Sequence, residues 1–409
     1  MRHQKTHDLP HTIIDHILAH LADDLDALGN CGLVSRCWSS LSRSYFFNKI
    51  NLHGDNVEGF YELVLCSRNS TFCASYVAHL CVDFHSCWQR SLLLDLEDIF
   101  TISNLPGGFP IIPSFGRPLD PQSSIPSVRT LEIENLGNHD ENMPFQLWAI
   151  PRILSAHYSA VVDLRLVSVD LMNMHMFSSL IFALPNLECL FVGHCRLDDT
   201  QPPRWDSTYD ERLPLPWQPP SKPLRRLEFS NDDMRPWSVS ILYTLMQYGY
   251  TFSHVILGPV NGLELCHAVG DFLRFLGPTL RYLDLSSFNY PAHVPLLSEA
   301  THLQYVALAI ELQGRFTWPN PLTWASKILE QVISEFTQSV IINVHWPDPQ
   351  KLDQLDWESF AQVLRQPRFA RLAFIQFNLD LWSDEAEESI RENCGLHGLE
   401  TVIKVKYVE

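Results

Sequence analysis

The chain has 409 residues, 46% of them apolar and 11% aromatic, and a formal net charge of -18. That length exceeds one ordinary compact core, and that apolar share excludes disorder throughout. The negative balance argues against nucleic acid or an anionic membrane as partner, because both are held by a concentrated positive field.

No stretch approaches the ~20 apolar residues that cross a bilayer, and the first eight residues lead into no apolar secretory segment. Ten cysteines lie at 31, 37, 66, 73, 81, 87, 189, 195, 266 and 394. None forms a Cys-x-x-Cys pair, and in a chain this long they read as buried thiols rather than a disulfide framework. A reducing compartment, cytoplasmic and/or nuclear, is therefore expected. Asn69-Ser70-Thr71 matches a glycosylation acceptor, which is idle in such a compartment.

In chain order, residues 9–44 predict three helices. Thr12 with Asp15 reads as a capping box ahead of Ile13, Ile14, Ile17, Leu18 and Leu21, which recur at helical spacing. Asp23 or Asp24 caps a short second helix carrying Leu25 and Leu28, with Gly29-Asn30 as its end. Asn30 is then the expected cap of a third helix, with Val34, Cys37, Trp38 and Leu41 in one apolar stripe. About 40 residues cannot bury two such stripes and an indole alone, so the rest of the chain or a partner must cover part of them.

Leu9-Pro10, Ile13, Ile17-Leu18, Leu21, Leu28 and Leu33-Val34-Ser35-Arg36-x-Trp38 with Leu41 resemble the F-box motif. Thr12 departs from it, where the family often has Glu. The resemblance implies a small helical unit over 1–48 that packs against a Skp-type adaptor and, through it, a cullin complex. It also implies that the adaptor contacts include Leu9, Pro10, Ile13, Ile14, Ile17, Leu18, Val34 and Trp38.

Beyond that unit, apolar residues recur at i, i+3 and i+5: Val128-Leu131-Ile133, Val161-Leu164-Leu166, Leu187-Leu190-Val192, Leu224-Leu227-Phe229, Phe252-Val255-Leu257, Leu280-Leu283-Leu285, Leu303-Val306-Leu308 and Phe369-Leu372-Phe374. Weaker copies are Val77-Leu80-Val82 and Ser339-Ile342-Val344. Many add an apolar residue at i+8, among them Leu136, Val169, Cys195, Val260, Phe288 and Phe377. The pattern resembles the leucine-rich repeat, with anchors 23 to 37 residues apart against the family's roughly 20–29. Helices are expected between strands at 143–158, 173–184, 236–249, 262–276, 321–338, 356–366 and 383–393. The expected fold is α/β: the helical unit, then an irregular leucine-rich-repeat-like solenoid over 49–409 with Pro-rich insertions at 103–127 and 198–223. A doubly wound α/β domain is the rival, disfavoured because each unit has one short alternating strand and no glycine-rich phosphate loop follows any strand.

Nothing in the sequence carries chemistry. His16 and His20 stand four apart without a third ligand, His194 and Cys195 are adjacent and diverge on a strand, and Asp23-Asp24 and Asp198-Asp199 read as caps and loop charges. No nucleophile elbow, P-loop or zinc-protease motif occurs. No catalytic residue, metal or cofactor is therefore expected. Outward strand positions i+2, i+4 and i+6 are the expected target surface, including Thr130, Glu132, Glu134, Arg165, Arg226, Glu228, His254, Asp284, Arg371 and Ile375, with Phe191, Arg226, Ile256, Tyr282 and Tyr305 as its anchors. Together these imply a non-catalytic receptor that holds an unidentified target protein for a Skp-cullin-F-box ubiquitin ligase. The alternative is an interaction scaffold outside any ligase.

Overall fold

A computed structural model describes residues 9–53, 56, 76–83, 128–136, 151, 154–155, 158–171, 174–197, 224–230, 234, 237–260, 262–285, 297–312, 320–345, 348–380, 383–398 and 403–407. Both Pro-rich segments, most of the helix expected at 143–158, Asp198-Asp199, Phe288, Cys66, Cys73 and Cys87 lie outside them. The chain divides into two compact units, 1–171 with 175–187, and 172–174 with 188–409.

The first unit begins with α1 (His11–His20), α2 (Leu25–Gly32) and α3 (Arg36–Phe46). Asp24 caps α2 as expected, accepting from the Ala27 amide at 2.9 Å. Three local expectations are corrected. The residue at the start of α1 is Pro10, with no side-chain cap, because proline's fixed φ already suits a helix entry. α2 runs through Gly29 and Asn30 to Gly32. There a Cβ would come within 3.2 Å of the Ser42 hydroxyl on α3, so glycine permits the close approach. Ser35, not Asn30, caps α3 through the Trp38 amide.

Four parallel strands follow: β1 (Lys49–Leu52), β2 (His79–Asp83), β3 (Thr130–Glu134) and β4 (Asp163–Val167), paired in chain order. After β4 come the two-residue β5 (Asp170–Leu171) and α4 (Met174–Phe182).

The second unit contains β6 (Cys189–Gly193), the two-residue β7 (Arg196–Leu197), β8 (Leu224–Phe229), α5 (Trp237–Gln247), β9 (Phe252–Leu257), α6 (Leu263–Leu276) and β10 (Tyr282–Leu285). It continues through β11 (Tyr305–Glu311), α7 (Pro321–Leu329), β12 (Ser339–His345), α8 (Pro349–Leu352), α9 (Trp357–Leu364), β13 (Phe374–Leu379), α10 (Asp384–Leu396) and β14 (Ile403–Tyr407). From β6 to β14, leaving out β7, these strands also pair in parallel and in chain order.

The register explains why the pattern repeats. Equivalent positions pair directly, Leu80 with Leu131 and Leu164 in the first unit. In the second, Leu190, Leu227, Val255, Leu283, Val306, Val340 and Ile375 form one such row. Every residue in those rows is buried, so each i+3 side chain stacks on its copy from the next strand. A doubly wound sheet reverses its strand order at a switch point, whereas order within each unit here follows the chain. The fold is α/β, as expected.

Each tight end of a strand is also repeated. Asn135, Ser168 and His194 occupy the same place after β3, β4 and β6, with φ of 52°, 53° and 50°. These left-handed residues turn the chain sharply. They aim the next residue, Leu136, Val169 or Cys195, into the core at 1%, 0% and 1% exposure.

Two copies were placed in the wrong register. The structural repeat near the carboxyl end runs Leu372-Ile375-Phe377, not Phe369-Leu372-Phe374. Ile375, expected outward, is fully buried, while Phe374 sits half-buried beneath the Lys404 amine. The preceding copy runs Thr337-Val340-Ile342, two residues earlier than Ser339-Ile342-Val344. Thr337 is buried because its hydroxyl donates to the Leu303 carbonyl at 3.1 Å. A hydroxyl standing at a leucine position hid the true start.

Candidate functional site

Two surfaces have the character of docking sites. The first lies on α1–α3. Its core is small: Ile14, Leu18 and Leu28 are buried, with Leu21, Cys31, Cys37, Trp38, Leu41 and Tyr45 partly buried against them. Tyr45 donates to the Asp15 carboxylate at 2.8 Å, and the Cys37 thiol lies 3.5 Å from the His11 ring. Both contacts tie α1 to α3.

That core leaves much apolar surface uncovered. Leu9, Ile13, Ile17, Leu25, Leu33 and Val34 are all exposed, Leu33 at 85% and Val34 at 66%. Of the residues expected to meet an adaptor, Leu9, Pro10, Ile13, Ile17 and Val34 are therefore accessible. Ile14 and Leu18 are not: at 1% and 0% exposure they hold the three helices together. Trp38 is half-buried and shared between the core and the surface. Leu33, within the motif but not among the expected adaptor contacts, is the most exposed large apolar residue described. Its place between α2 and α3 was the missed signal, since a leucine in a tight helix connection has no core to enter.

The second surface is the outward strand face of the second unit. Parallel register aligns Arg226, His254, Tyr282 and Tyr305 in one row, and Phe191, Glu228, Ile256 and Asp284 in the next. His254 stacks on Tyr282 with ring centroids 5.7 Å apart, and Tyr282 leans on Tyr305 at 6.1 Å. Arg226 donates to Glu228 at 2.6 Å. The five expected anchors, Phe191, Arg226, Ile256, Tyr282 and Tyr305, thus fall on two adjacent rows of one face. Arg226 is exposed and the other four are half-buried.

The charges on this face are set by burial. Asp284 is pushed up to about 6, by burial first and then by the neighbouring Glu228 carboxylate. His254 is held below the usual imidazole range by burial and by Arg225. Burial thus disfavours the charged form of both groups, and the Asp284 carboxyl releases its proton only as pH approaches neutrality.

The remaining histidine and cysteine candidates have ordinary places. His16 and His20 meet edge to face at 4.9 Å on the exposed side of α1. His194 is exposed while Cys195 is buried, its thiol donating to the Gly193 carbonyl at 3.5 Å. Among the described residues no helix is long and apolar enough to cross a membrane. The chain matches no protein-family model and no curated protein.

Proposed function

We propose that this chain is a non-catalytic substrate receptor of a Skp-cullin-F-box ubiquitin ligase. The helices α1–α3 dock on a Skp-type adaptor, and an irregular leucine-rich-repeat solenoid displays a target protein. One observation carries the reading: seven large apolar residues, Leu9, Ile13, Ile17, Leu25, Leu33, Val34 and Phe46, stand exposed on a unit whose own core holds only three fully buried ones. Exposed apolar clusters of that kind mark interaction surfaces. The sequence resemblance supplies the chemistry of the partner.

The repeat reading is supported by strand order following the chain and by equivalent positions pairing without offset. The aromatic row around Tyr282 suits a protein target, because stacked aromatics offer large contact area at low entropic cost. Catalysis is by proximity: a target held near the loaded conjugating enzyme reacts as if highly concentrated, with no bond made or broken here.

Co-purification of the full chain with a Skp-type adaptor and a cullin tests this directly. The intact chain should capture both, and a chain lacking residues 1–45 should capture neither. Adaptor without cullin would favour a scaffold outside any ligase. Absence of the adaptor would refute the docking assignment.

A further inference from the structure

The strand face of the first unit gathers donor groups that docking leaves unused. Pairing of β2 with β3 sets Cys81 opposite Glu132 and Asp83 opposite Glu134. Side chains two apart share a face, so Cys81, Glu132 and Glu134 converge. Their sulfur and carboxylate oxygens all lie within 4.8 Å of one another.

Burial differs across the three, with Cys81 buried and both glutamates half-buried. Cys81 is 6% exposed and the Glu132 side chain 13%. Glu132 is also held from outside the cluster, with His79 Nε2 3.0 Å from one oxygen and Arg165 Nε 3.6 Å from the other. His79 keeps the Glu132 carboxyl below its ordinary range against the opposing effect of burial. The other two groups go the opposite way. Burial, then Glu134 and Glu132, push the Cys81 thiol up to about 12. Burial and Glu132 raise the Glu134 carboxyl.

We propose that Cys81, Glu132 and Glu134 form a binding site for a zinc-class divalent ion, with His79 and Arg165 as positioning residues for Glu132. The donor set decides the class. Magnesium and calcium take oxygen ligands, whereas a thiolate beside carboxylates suits a borderline-soft ion such as zinc or cobalt(II). Metal–ligand distances of about 2.0–2.3 Å put tetrahedral donors roughly 3.3–3.8 Å apart, a contraction that small side-chain rotations provide. Three protein donors leave a fourth position for water. Binding exchanges the Cys81 proton for the ion: the S–H bond breaks, the S–metal bond forms, and one proton leaves to solvent without any change of oxidation state.

Cobalt(II) titration of the chelator-stripped full chain tests the site. The wild type should show a thiolate-to-cobalt charge-transfer absorption that saturates at one equivalent and is bleached by zinc. Cys81→Ser should abolish it, and Glu134→Gln, which keeps the shape of the site, should weaken binding at least ~10-fold. His79→Ala should keep the absorption with about 10–100-fold weaker binding, as loss of an outer partner does. Cys266→Ser, at a buried thiol on α6, should change nothing. Circular dichroism of each variant separates misfolding from lost ligation. No absorption in the wild type, an absorption that survives Cys81→Ser, or unchanged affinity in Glu134→Gln would each overturn the proposal.

Discussion

The amino-terminal helices and the parallel strands dispose of their apolar residues in opposite ways. In α1–α3 and the residues that join them, three apolar residues are fully buried and seven large ones are exposed. In β8–β10, Leu224, Leu227, Phe229, Phe252, Val255, Leu257, Leu283 and Leu285 are all buried. The difference follows from geometry. Each strand is covered by its neighbours on both sides and by helices such as α6, where Phe272 packs on Phe252 at 5.9 Å. A lone helical trio has no next copy to close it. A repeat can complete its own core, and a short helical unit must borrow cover. That is why the docking surface is sought on α1–α3 and the display surface on the outward strand face.

If this contrast is right, core and face residues should separate sharply in the repeats. Phe252→Ala removes a buried ring and should cost about 3–5 kcal/mol. Tyr282→Ala loses two ring contacts on the outer face and should cost about 1 kcal/mol. Equilibrium denaturation of both variants measures the gap, and similar losses would break the comparison.

The same test applies within one helix. Leu18→Ala should destabilise α1–α3 by about 2–5 kcal/mol, whereas Ile17→Ala, one residue away and exposed, should stay within roughly 0.5 kcal/mol. Hydrogen exchange at α1–α3 amides resolves the two. Equal protection in both variants would place Leu18 outside the core.

A pH dependence is expected as well. Asp284 holds its proton more tightly when folded, its pKa lifted from 3.8 to about 6. Folding therefore binds a proton between those values, and the stabilisation present below pH 4 is lost as pH rises through 6. Asp284→Asn stays neutral throughout. The stability of the variant relative to wild type should therefore rise between pH 4 and 7 in parallel denaturant titrations. A constant difference would place the carboxyl in contact with solvent.

Much of this organisation was legible in the sequence because its periods are local. Leu131 and Ile133, or Val255 and Leu257, announce their strands by alternation alone. The helices at 237–247, 263–276, 357–364 and 384–396 fall within two or three residues of expectation. The helix expected at 321–338 ends at Leu329, because Val332, Ser334 and Thr337 continue the apolar and hydroxyl pattern into a buried connection.

What stayed hidden depends on distant partners. β1 and β14 are edge strands with one neighbour each, and β14 is half-exposed with alternating lysines. Polar edges of that kind look like loop. The division of α1–α3 into buried Ile14 and Leu18 and exposed Ile13 and Ile17 turns on helix orientation, which a shared apolar stripe does not give. The cluster of Cys81 with Glu132 and Glu134 rests on pairing across 51 residues, beyond the reach of any linear ligand spacing.

The docking assignment rests most directly on the accessible residues between α2 and α3. Calorimetric binding of a purified Skp-type adaptor to the full chain should weaken by at least ~100-fold in Leu33→Asp/Val34→Asp, since each buried anchor contributes about 2 kcal/mol or more. Helical content should be unchanged, because neither side chain enters the core. Wild-type affinity in that double variant, or no adaptor binding by the native chain, would contradict the account.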